Sequence, residues 1–365
     1  MRIATLQFAP KLGDVDGNIQ RANKLLKDGK SVPLGNGIGV DALKPDVLVL
    51  PELALTGYNF PSLEAIKPYL EPVGSGPSAS WARETAKRLQ CKVCVGYPEI
   101  EHGPTETEAK YYNSLLVVDD NGEVIHNYRK TFLYFTDETW ATEGNVERGF
   151  HELTFRAQDS APAQDVDDIR RTSRQVATSF GICMDINPYK FEAPYTAWEF
   201  ANRVLDSQSQ LVILSMAWLT LLSQEELAAL EGKPEMDTFN YWLNRFYPLI
   251  EKKMEHTRDL DGEEGPKKVV IVFSNRAGWE PGADDTKPPA RYAGTSAVIA
   301  VTQRRSDKSR SRVRGQEDVI DGESVLDVKI LCWDLLGAAE EGICFADTTE
   351  DPKIVFRLRS RSESE

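Results

Sequence analysis

The chain has 365 residues, 41% of them hydrophobic, which is enough to bury a substantial core and excludes disorder as the default description. Its net charge of −14 repels phosphate backbones and anionic bilayers, so we expect neither nucleic acid nor a membrane as a partner. Five cysteines are an odd and sparse set for a disulfide framework. No apolar run reaches the roughly 18–20 residues that span a bilayer, and no leader precedes the first predicted strand. We therefore expect a reducing cytoplasmic location, with a nuclear location as a further option.

Short apolar runs alternate with segments of helical character along the chain, and this alternation predicts an α/β fold. Several of the runs are apolar on both faces, which is typical of strands that are covered on both sides. The predicted helices include 18–27 and 78–89. The predicted strands are 2–8, 47–50, 92–96, 114–118, 175–182, 211–215, 269–274 and 295–301.

Three long or polar segments interrupt the alternation, but none of them reads as a domain boundary. We predict one domain over residues 1–301, with insertions at about 158–174 and 220–266. Residues 302–365 form a polar loop and a C-terminal extension that complete the same domain. A basic run at 304–314 fits either a solvated loop or a nuclear localisation signal.

Two common kinds of catalytic centre find no support in the sequence. The four histidines lack the spacing of a metal-binding helix, and there is no G-x-S-x-G motif for a serine nucleophile. Cys91 and Cys94 form C-x-x-C without a second pair, so we interpret them as small buried residues. We therefore expect neither a metal nor a serine hydrolase site.

Three reactive side chains each come after a predicted strand. Glu52 follows the second strand, Lys130 comes soon after the fourth, and Cys183 follows the fifth. Ligand sites in α/β sheets form where strands end, because the loops converge there. Each residue alone has an ordinary structural explanation: Glu52 as a solvent-exposed residue at a strand end, Lys130 as a surface lysine and Cys183 as a core cysteine. Their joint appearance at strand ends favours a catalytic site.

At these three segments the sequence resembles the nitrilase, or carbon–nitrogen hydrolase, superfamily. The runs that carry the resemblance are LPELALTGY at 50–58, YRKT at 128–131 and GICMD at 181–185. The resemblance extends from residue 2 to about 301, apart from the two insertions. It implies an α/β fold of the four-layer α-β-β-α sandwich type and a catalytic triad, carried over onto Glu52, Lys130 and Cys183. It implies no metal and no organic cofactor.

Longer runs resemble one group within this superfamily, the fungal N-terminal amidases. These runs are NYRKTFLY at 127–134, GICMDINPYKFEAP at 181–194, MAWL at 216–219 and NYW at 240–242. The group converts an N-terminal Asn or Gln of a protein into Asp or Glu, which is a signal for arginylation and degradation. The resemblance therefore implies protein or peptide N termini bearing Asn or Gln as partners. The Asn-to-Gln preference and the choice between monomer and homodimer stay open.

The three residue types suit hydrolysis of an amide. A free thiol is mostly protonated at neutral pH, so Glu52 is expected to act as the general base and Lys130 to favour the thiolate. Cys183 then attacks the amide carbon. Lys130 and the backbone N–H of Met184 are expected to stabilise the oxyanion that develops.

Many members of the superfamily have a further carboxylate shortly after the lysine. Asp137 and Glu138 compete for that position here, and we favour Glu138. Members that act on carboxylate substrates often have an arginine just after the cysteine, which this sequence lacks. Asp185 in that segment suits the α-ammonium group of a substrate, or alternatively caps the turn after the nucleophile.

Three further residues are expected to line the substrate pocket, namely Tyr58, Trp218 and Asn275, with core packing as the alternative for Trp218. Two other functions compete with the one implied above. An ω-amidase or other small-molecule amidase would need an anion-binding residue for its free acid, whereas a peptide needs an open groove. A non-catalytic interaction protein is disfavoured because all three triad positions carry the competent residue.

Overall fold

Two β-sheets that pack face to face form the centre of the molecule. The computed structural model describes residues 1–30, 37–156, 173–256, 266–282, 288–305 and 326–357. Strands in these ranges, in chain order, are β1 Arg2–Gln7, β2 Val47–Val49, β3 Lys92–Glu101, β4 Lys110–Val118, β5 Val124–Arg129, β6 Phe150–Arg156, β7 Ser173–Ile182, β8 Leu211–Ser215, β9 Lys267–Ser274, β10 Trp279–Glu280, β11 Ala290–Arg291, β12 Ala297–Arg305, β13 Leu326–Leu335, β14 Gly342–Asp347 and β15 Ile354–Arg357.

Both large sheets are mixed, with parallel strands at their centres. The first has six strands in the order β14-β1-β2-β3-β4-β5, and the second has seven in the order β15-β13-β12-β9-β8-β7-β6. Strands β1, β2 and β3 are parallel, as are β7, β8 and β9. Parallel neighbours end at the same edge of a sheet, so the loops after β7 and β8 lie close together. The N–H of Ala217 after β8 donates to Glu52 after β2 at 2.7 Å, so the loop after β2 in the first sheet reaches the same place.

Helices cover the outer faces of both sheets. They are α1 Val15–Asp28, α2 Val40–Leu43, α3 Leu63–Ile66, α4 Pro77–Leu89, α5 Glu199–Asp206, α6 Gln224–Ala229, α7 Met236–Arg245 and α8 Pro248–Glu251. The Asp14 side chain caps α1 by accepting from the N–H of Gly17, and Pro77 begins α4, where its missing N–H costs no hydrogen bond. Within the described ranges, no helix has the length and apolar character needed to cross a bilayer.

The period-two pattern of β2 shows how the layers form. Val47 and Val49 pack between the sheets, in a core that they share with strands of the second sheet. Leu48 and Leu50 face the other way and pack with residues of α1 and α4. Since successive strand residues point to opposite faces, one apolar run contributes to two cores. The predicted four-layer α-β-β-α sandwich is confirmed.

Most predicted elements lie inside observed ones, with the largest differences at the boundaries. The strand predicted to start at 175 begins at Ser173, so the end of the polar segment 158–174 belongs to β7; residues 157–172 lie outside the described ranges. The predicted insertion at 220–266 contains α6, α7 and α8. The sequence does not predict strands β5, β6, β10, β11, β13, β14 and β15. In the segment 302–365, β13 and β15 join the second sheet and β14 joins the first. The basic run 304–314 lies outside the described ranges after Arg305, where β12 ends.

Candidate active site

The ends of three strands bring Glu52, Lys130 and Cys183 together in the interior. Glu52 comes shortly after β2, Lys130 directly follows β5, and Cys183 directly follows β7. The Lys130 Nζ atom lies 2.6 Å from Oε1 of Glu52, and both side chains are fully buried. The charges of both act on the thiol of Cys183. The structure therefore assembles the three residues that the sequence predicts, two from the first sheet and one from the second.

Glu52 is held by donors from three directions. Its Oε1 accepts from Lys130 and from Nδ2 of Asn113 at 2.6 Å each, and its Oε2 accepts from the N–H of Ala217 at 2.7 Å. Burial raises the pKa of Glu52 above its ordinary value, and the positive charge of Lys130 opposes that rise. A carboxylate with a raised pKa is a stronger base at neutral pH than an exposed glutamate.

Asp137 is the second carboxylate of the buried cluster. Its Oδ2 accepts from Lys130 Nζ at 2.6 Å and from the N–H of Tyr134 at 3.0 Å. The Tyr58 hydroxyl donates to the same oxygen at 3.3 Å. The preference for Glu138 is wrong, because the turn Asp137–Thr139 points Asp137 inward and leaves Glu138 exposed to solvent.

Asn113 on β4 ties the two carboxylates together, and sequence reasoning missed it. Its Nδ2 donates to Oε1 of Glu52 and to Oδ1 of Asp137, at 2.6 and 3.0 Å. A primary amide supplies two N–H donors, and both are used here. No feature of the sequence around 113 distinguishes this asparagine from a polar residue of an ordinary strand.

Cys183 lies at a sharp turn between β7 and a single 3-10 turn, Cys183–Ile186. Its φ of 41° is in the left-handed region, which costs a residue with a Cβ roughly 1–2 kcal/mol. Burial and the charge of Glu52 raise the pKa of the thiol, while Lys130 and the N–H of Ala217 lower it. The resting group is therefore a thiol that needs a base. Strain of this kind is found at functional sites, where the surrounding structure holds it.

Asp185 has a structural role, so its proposed contact with a substrate ammonium group is wrong. The side chain is fully buried and accepts five hydrogen bonds of 2.7–3.0 Å. The donors are the N–H groups of Ile182, Thr131 and Phe132 and the hydroxyls of Thr131 and Tyr128. Asp185 thus fastens the turn after Cys183 to the segment around Lys130, which matches the alternative of a turn cap.

A cavity of about 290 Å³ opens onto Cys183. Its lining residues are Tyr58, Tyr134, Cys183, Met184, Asn187, Phe191, Ala217, Trp218, Leu219 and Tyr241. Tyr58 and Trp218 therefore line the pocket as predicted. Met184 is the second residue of the 3-10 turn, and N–H groups in the first turn of a helix have no partner within the helix. Among the described residues, none that lines this cavity carries an acidic or basic side chain.

Asn275 stands behind the pocket instead of lining it. Its Oδ1 accepts from the N–H of Trp218 at 2.7 Å, and its Nδ2 donates to the carbonyls of Trp218 and Gly294 at 3.3 and 2.9 Å. The expectation that Asn275 lines the pocket is wrong, because it is not among the lining residues and both polar atoms of its side chain bond to backbone groups. Asn275 fixes the loop that carries Trp218.

Six residues of the pocket wall were not singled out from the sequence: Tyr134, Asn187, Phe191, Ala217, Leu219 and Tyr241. All six lie within the longer runs that carry the resemblance, so those runs contained the signal. The Tyr241 hydroxyl donates to Oδ1 of Asn187 at 2.6 Å, which joins the region after Cys183 to α7. In the described part of the chain, no three His, Cys, Asp or Glu side chains are grouped to hold a metal ion.

Comparison with known proteins places this site in a family. The carbon-nitrogen hydrolase family model matches residues 2–187. The protein N-terminal amidase of Saccharomyces cerevisiae is 38% identical over 287 residues, which cover 78% of this chain and 58% of that protein. The protein N-terminal amidase of Schizosaccharomyces pombe is 31% identical over 319 residues, which cover 84% of this chain and 93% of that protein.

The fold also matches solved structures. A crystal structure of an N-terminal amidase with an Asn-Glu-Ala peptide superposes with a TM-score of 0.68 at 24% identity, covering 99% of both chains. The match therefore extends over the C-terminal strands that the family model does not reach. The family model and the two yeast relatives show that the chain belongs to the carbon-nitrogen hydrolase family.

Proposed function

We propose that this chain is a cysteine amidohydrolase that hydrolyses the side-chain amide of an N-terminal Asn or Gln residue of a protein or peptide. The observation that carries the proposal is a cavity with Cys183 in its wall, whose lining, over the part of the chain that the structure describes, is half aromatic and without a charged side chain. Relatives named protein N-terminal amidase, at 38% and 31% identity, support the same substrate class. The acidic N terminus that results suits the role of a degradation signal.

In the first step, Glu52 accepts the proton of the Cys183 thiol, and the sulfur attacks the carbon of the side-chain amide. Lys130 has three N–H donors, of which two are directed at Glu52 and Asp137. The third donor and the N–H of Met184 stabilise the oxyanion. The protonated Glu52 then gives its proton to the leaving nitrogen, and ammonia departs from a Cys183 thioester.

Water completes the reaction. Glu52 removes a proton from water, the resulting hydroxide attacks the thioester carbon, and the returning proton restores the thiol while the acid product leaves. Glu52 thus accepts and then returns a proton in both steps, formation of the thioester and its hydrolysis. Asp137 keeps Lys130 charged and directed at the site, because burial opposes the charge of Lys130 and the two carboxylates favour it. The cycle needs Cys183 as a free thiol, which suits a reducing cytosolic or nuclear setting.

The α-ammonium group of the substrate meets aromatic faces in this proposal. Tyr58, Tyr134, Phe191, Trp218 and Tyr241 all line the cavity. Cations bind favourably over such rings, by roughly 0.5–2 kcal/mol per contact. The buried cluster adds attraction, since two carboxylates and one ammonium leave it with one excess negative charge.

The described lining residues of the cavity include no cation, which argues against the ω-amidase alternative. A free acid would bring a carboxylate into an uncharged wall next to a cluster that carries excess negative charge. An unpaired charge placed in such surroundings is costly. A substrate with a positive charge and no nearby carboxylate fits the same wall better. The complete set of Glu52, Lys130, Asp137 and Cys183 also disfavours a non-catalytic interaction protein.

The test is mass spectrometry of four substrates after incubation with the purified protein: an Asn-initiated peptide, its Gln counterpart, the acetylated Asn peptide and a free ω-amide acid. We expect the amide-to-acid mass change at residue one of the first two. Acetylation removes the ammonium charge, so turnover should fall about tenfold or more. Equal turnover of the free and acetylated peptides would contradict the proposal, and faster turnover of the ω-amide acid would favour the small-molecule alternative.

Matched variants assign the reaction to this site. Cys183→Ala should abolish turnover, whereas Cys332→Ala, at another buried cysteine, should retain it. Asp137→Asn should lose most activity, whereas Glu138→Gln, at the exposed neighbouring carboxylate, should not. Circular dichroism of each variant checks that the fold is intact.

A further inference from the structure

Two aromatic side chains beside the cavity are unusually exposed. Phe135 is 63% exposed and Phe191 is 48% exposed, and their ring centroids lie 5.9 Å apart. Tyr134 contacts both, with centroid distances of 5.1 Å to Phe135 and 6.3 Å to Phe191. Single exposed apolar residues are ordinary, but touching aromatic rings that remain in water point to a binding surface.

This aromatic pair continues the wall of the cavity. Tyr134 and Phe191 line the space in front of Cys183, while Phe135 is not among the lining residues. Tyr134 is fixed from behind, because its N–H donates to Asp137 at 3.0 Å. The apolar surface therefore runs without a break from the cavity to the exterior, and it is anchored to the buried charge cluster.

The backbone at Phe191 is held in an unfavourable conformation. Lys190 and Phe191 have φ values of 53° and 56°, in the left-handed region that residues with a Cβ rarely adopt. Hydrogen bonds from the N–H of Phe191 to the carbonyl of Pro188 and from the N–H of Glu192 to the carbonyl of Tyr189, at 2.9 and 3.0 Å, close the turn. Two strained residues in succession at a cavity indicate a conformation kept for function.

We propose that Phe135 and Phe191 form the subsite for the side chain of the second residue of the peptide substrate, and that this subsite selects apolar and above all aromatic residues. The inference rests on the proposed function, since only a peptide has a second residue. Adjacent Cα atoms lie about 3.8 Å apart, so the residue after one that occupies the cavity must leave through its mouth. The ring pair lies where the cavity wall passes into solvent, so it meets the side chain of that residue.

The experiment compares two peptides of equal charge, Asn-Phe-Ala-Arg and Asn-Gly-Ala-Arg. We expect the wild-type protein to prefer the phenylalanine peptide by about tenfold in kcat/KM, because partial burial of one aromatic side chain is sufficient for a difference of that size. Phe135→Ser should remove most of that preference by raising KM, with kcat unchanged, since the contact is the same in ground and transition states. The glycine peptide should be affected less than twofold, and Phe135→Leu should retain part of the preference.

Leu221→Ser is the matched control, because Leu221 is 99% exposed and, like Phe135, lies next to the cavity in the chain without being one of its lining residues. It should leave the preference unchanged. Three results would overturn the inference: no preference in the wild-type protein, an equal effect of Phe135→Ser on both peptides, or loss of the preference in Leu221→Ser instead. Failure of the wild-type protein to convert either peptide would instead remove the proposed function, so the two failures are distinguishable.

Discussion

Replacing Lys130 with methionine removes the only cation that contacts two buried carboxylates within the described site. Glu52 and Asp137 each lie 2.6 Å from Lys130 Nζ, and all three side chains are fully buried. Their charges sum to −1 in the wild-type protein, −2 in Lys130→Met, 0 in Asp137→Asn and −1 in the double variant. Removing one partner of a buried pair costs about 3–5 kcal/mol, because the remaining charge stays in a poor solvent.

The charge count predicts an unusual order of stabilities. We expect Lys130→Met to lower the free energy of unfolding by about 3–5 kcal/mol. Adding Asp137→Asn removes one of the two facing carboxylates, so the double variant should be more stable than Lys130→Met by about 1–3 kcal/mol. A second mutation that restores stability is opposite to the additive expectation, under which each loss of a contact destabilises further.

Urea unfolding followed by circular dichroism at pH 7 and pH 5 measures these differences. Lys130 opposes the rise that burial causes in the pKa of Glu52, so without Lys130 the pKa of Glu52 in the folded state rises further and its protonated form is favoured there. The deficit of Lys130→Met should therefore shrink as the pH falls. Lys24→Met is the control, because Lys24 pairs with Asp28 on the surface and its loss should change stability by less than about 0.5 kcal/mol. A double variant less stable than Lys130→Met, or a deficit independent of pH, would refute the charge argument.

Three further predictions follow from buried titratable groups. Burial and, to a lesser degree, the charge of Asp137 raise the pKa of Glu52 above its ordinary value of 4.5. In a pH–rate profile, kcat/KM should therefore rise with pH as Glu52 loses its proton, at a pH above 4.5. Asp137→Asn should move this rise to lower pH. Asp185→Asn should destabilise the fold by roughly 2–4 kcal/mol in urea unfolding, because the amide replaces an acceptor oxygen with a donor; unchanged stability would contradict the structural role of Asp185. Burial, followed by the charge of His151, lowers the pKa of His126 to about 4. The unfolded state therefore binds more protons than the folded state between about pH 4 and 6.5, and the free energy of unfolding falls on acidification. His126→Phe should lessen the loss of stability between pH 7 and pH 5 by about 2 kcal/mol, and identical losses in both proteins would contradict this.

Glu52 and Cys183 were predictable because each follows a strand, β2 or β7, whose apolar character is visible in the sequence. The apolar run 47–50 around β2 alternates between two cores, with Val47 and Val49 in one and Leu48 and Leu50 in the other. A run that is apolar at every position identifies a central strand from the sequence alone. Strand β5 is different, because its sequence VIHNYR mixes polar and apolar residues. Its place at the edge of the first sheet depends on pairing with β4, which local sequence does not encode.

The roles of the remaining carboxylates depended on tertiary structure. Asp137 and Glu138 are neighbours, and a single 3-10 turn decides which of them points toward Lys130. Asp185 is equally ambiguous in sequence, since its donors come from its own turn and from the segment that follows β5. The direction of a side chain in a short turn depends on how its loop packs, so composition and spacing cannot select between adjacent acids.

The geometry of the site also depends on how the two sheets are held against each other. Ser215 at the end of β8 donates to the carbonyl of Leu50 at 3.0 Å, and Ser274 at the end of β9 donates to the carbonyl of Val49 at 3.1 Å. These bonds cross between the sheets, next to the point where the N–H of Ala217 meets Glu52. The second sheet thus supports the general base that the first sheet carries.

This arrangement predicts that two similar serine variants will differ in activity. Ser215→Ala and Ser274→Ala each leave one buried carbonyl without its hydroxyl donor, so both should lose about 1–3 kcal/mol of stability in urea unfolding. Ser215 lies two residues before Ala217, and its acceptor lies two residues before Glu52, so Ser215→Ala also loosens the contact that orients the base. We expect kcat to fall several-fold more in Ser215→Ala than in Ser274→Ala, with little change in KM, because a misplaced base slows proton transfer without altering the cavity wall. If the two variants lost stability equally and kept equal kcat, the contact between the sheets would support the fold without setting the position of Glu52.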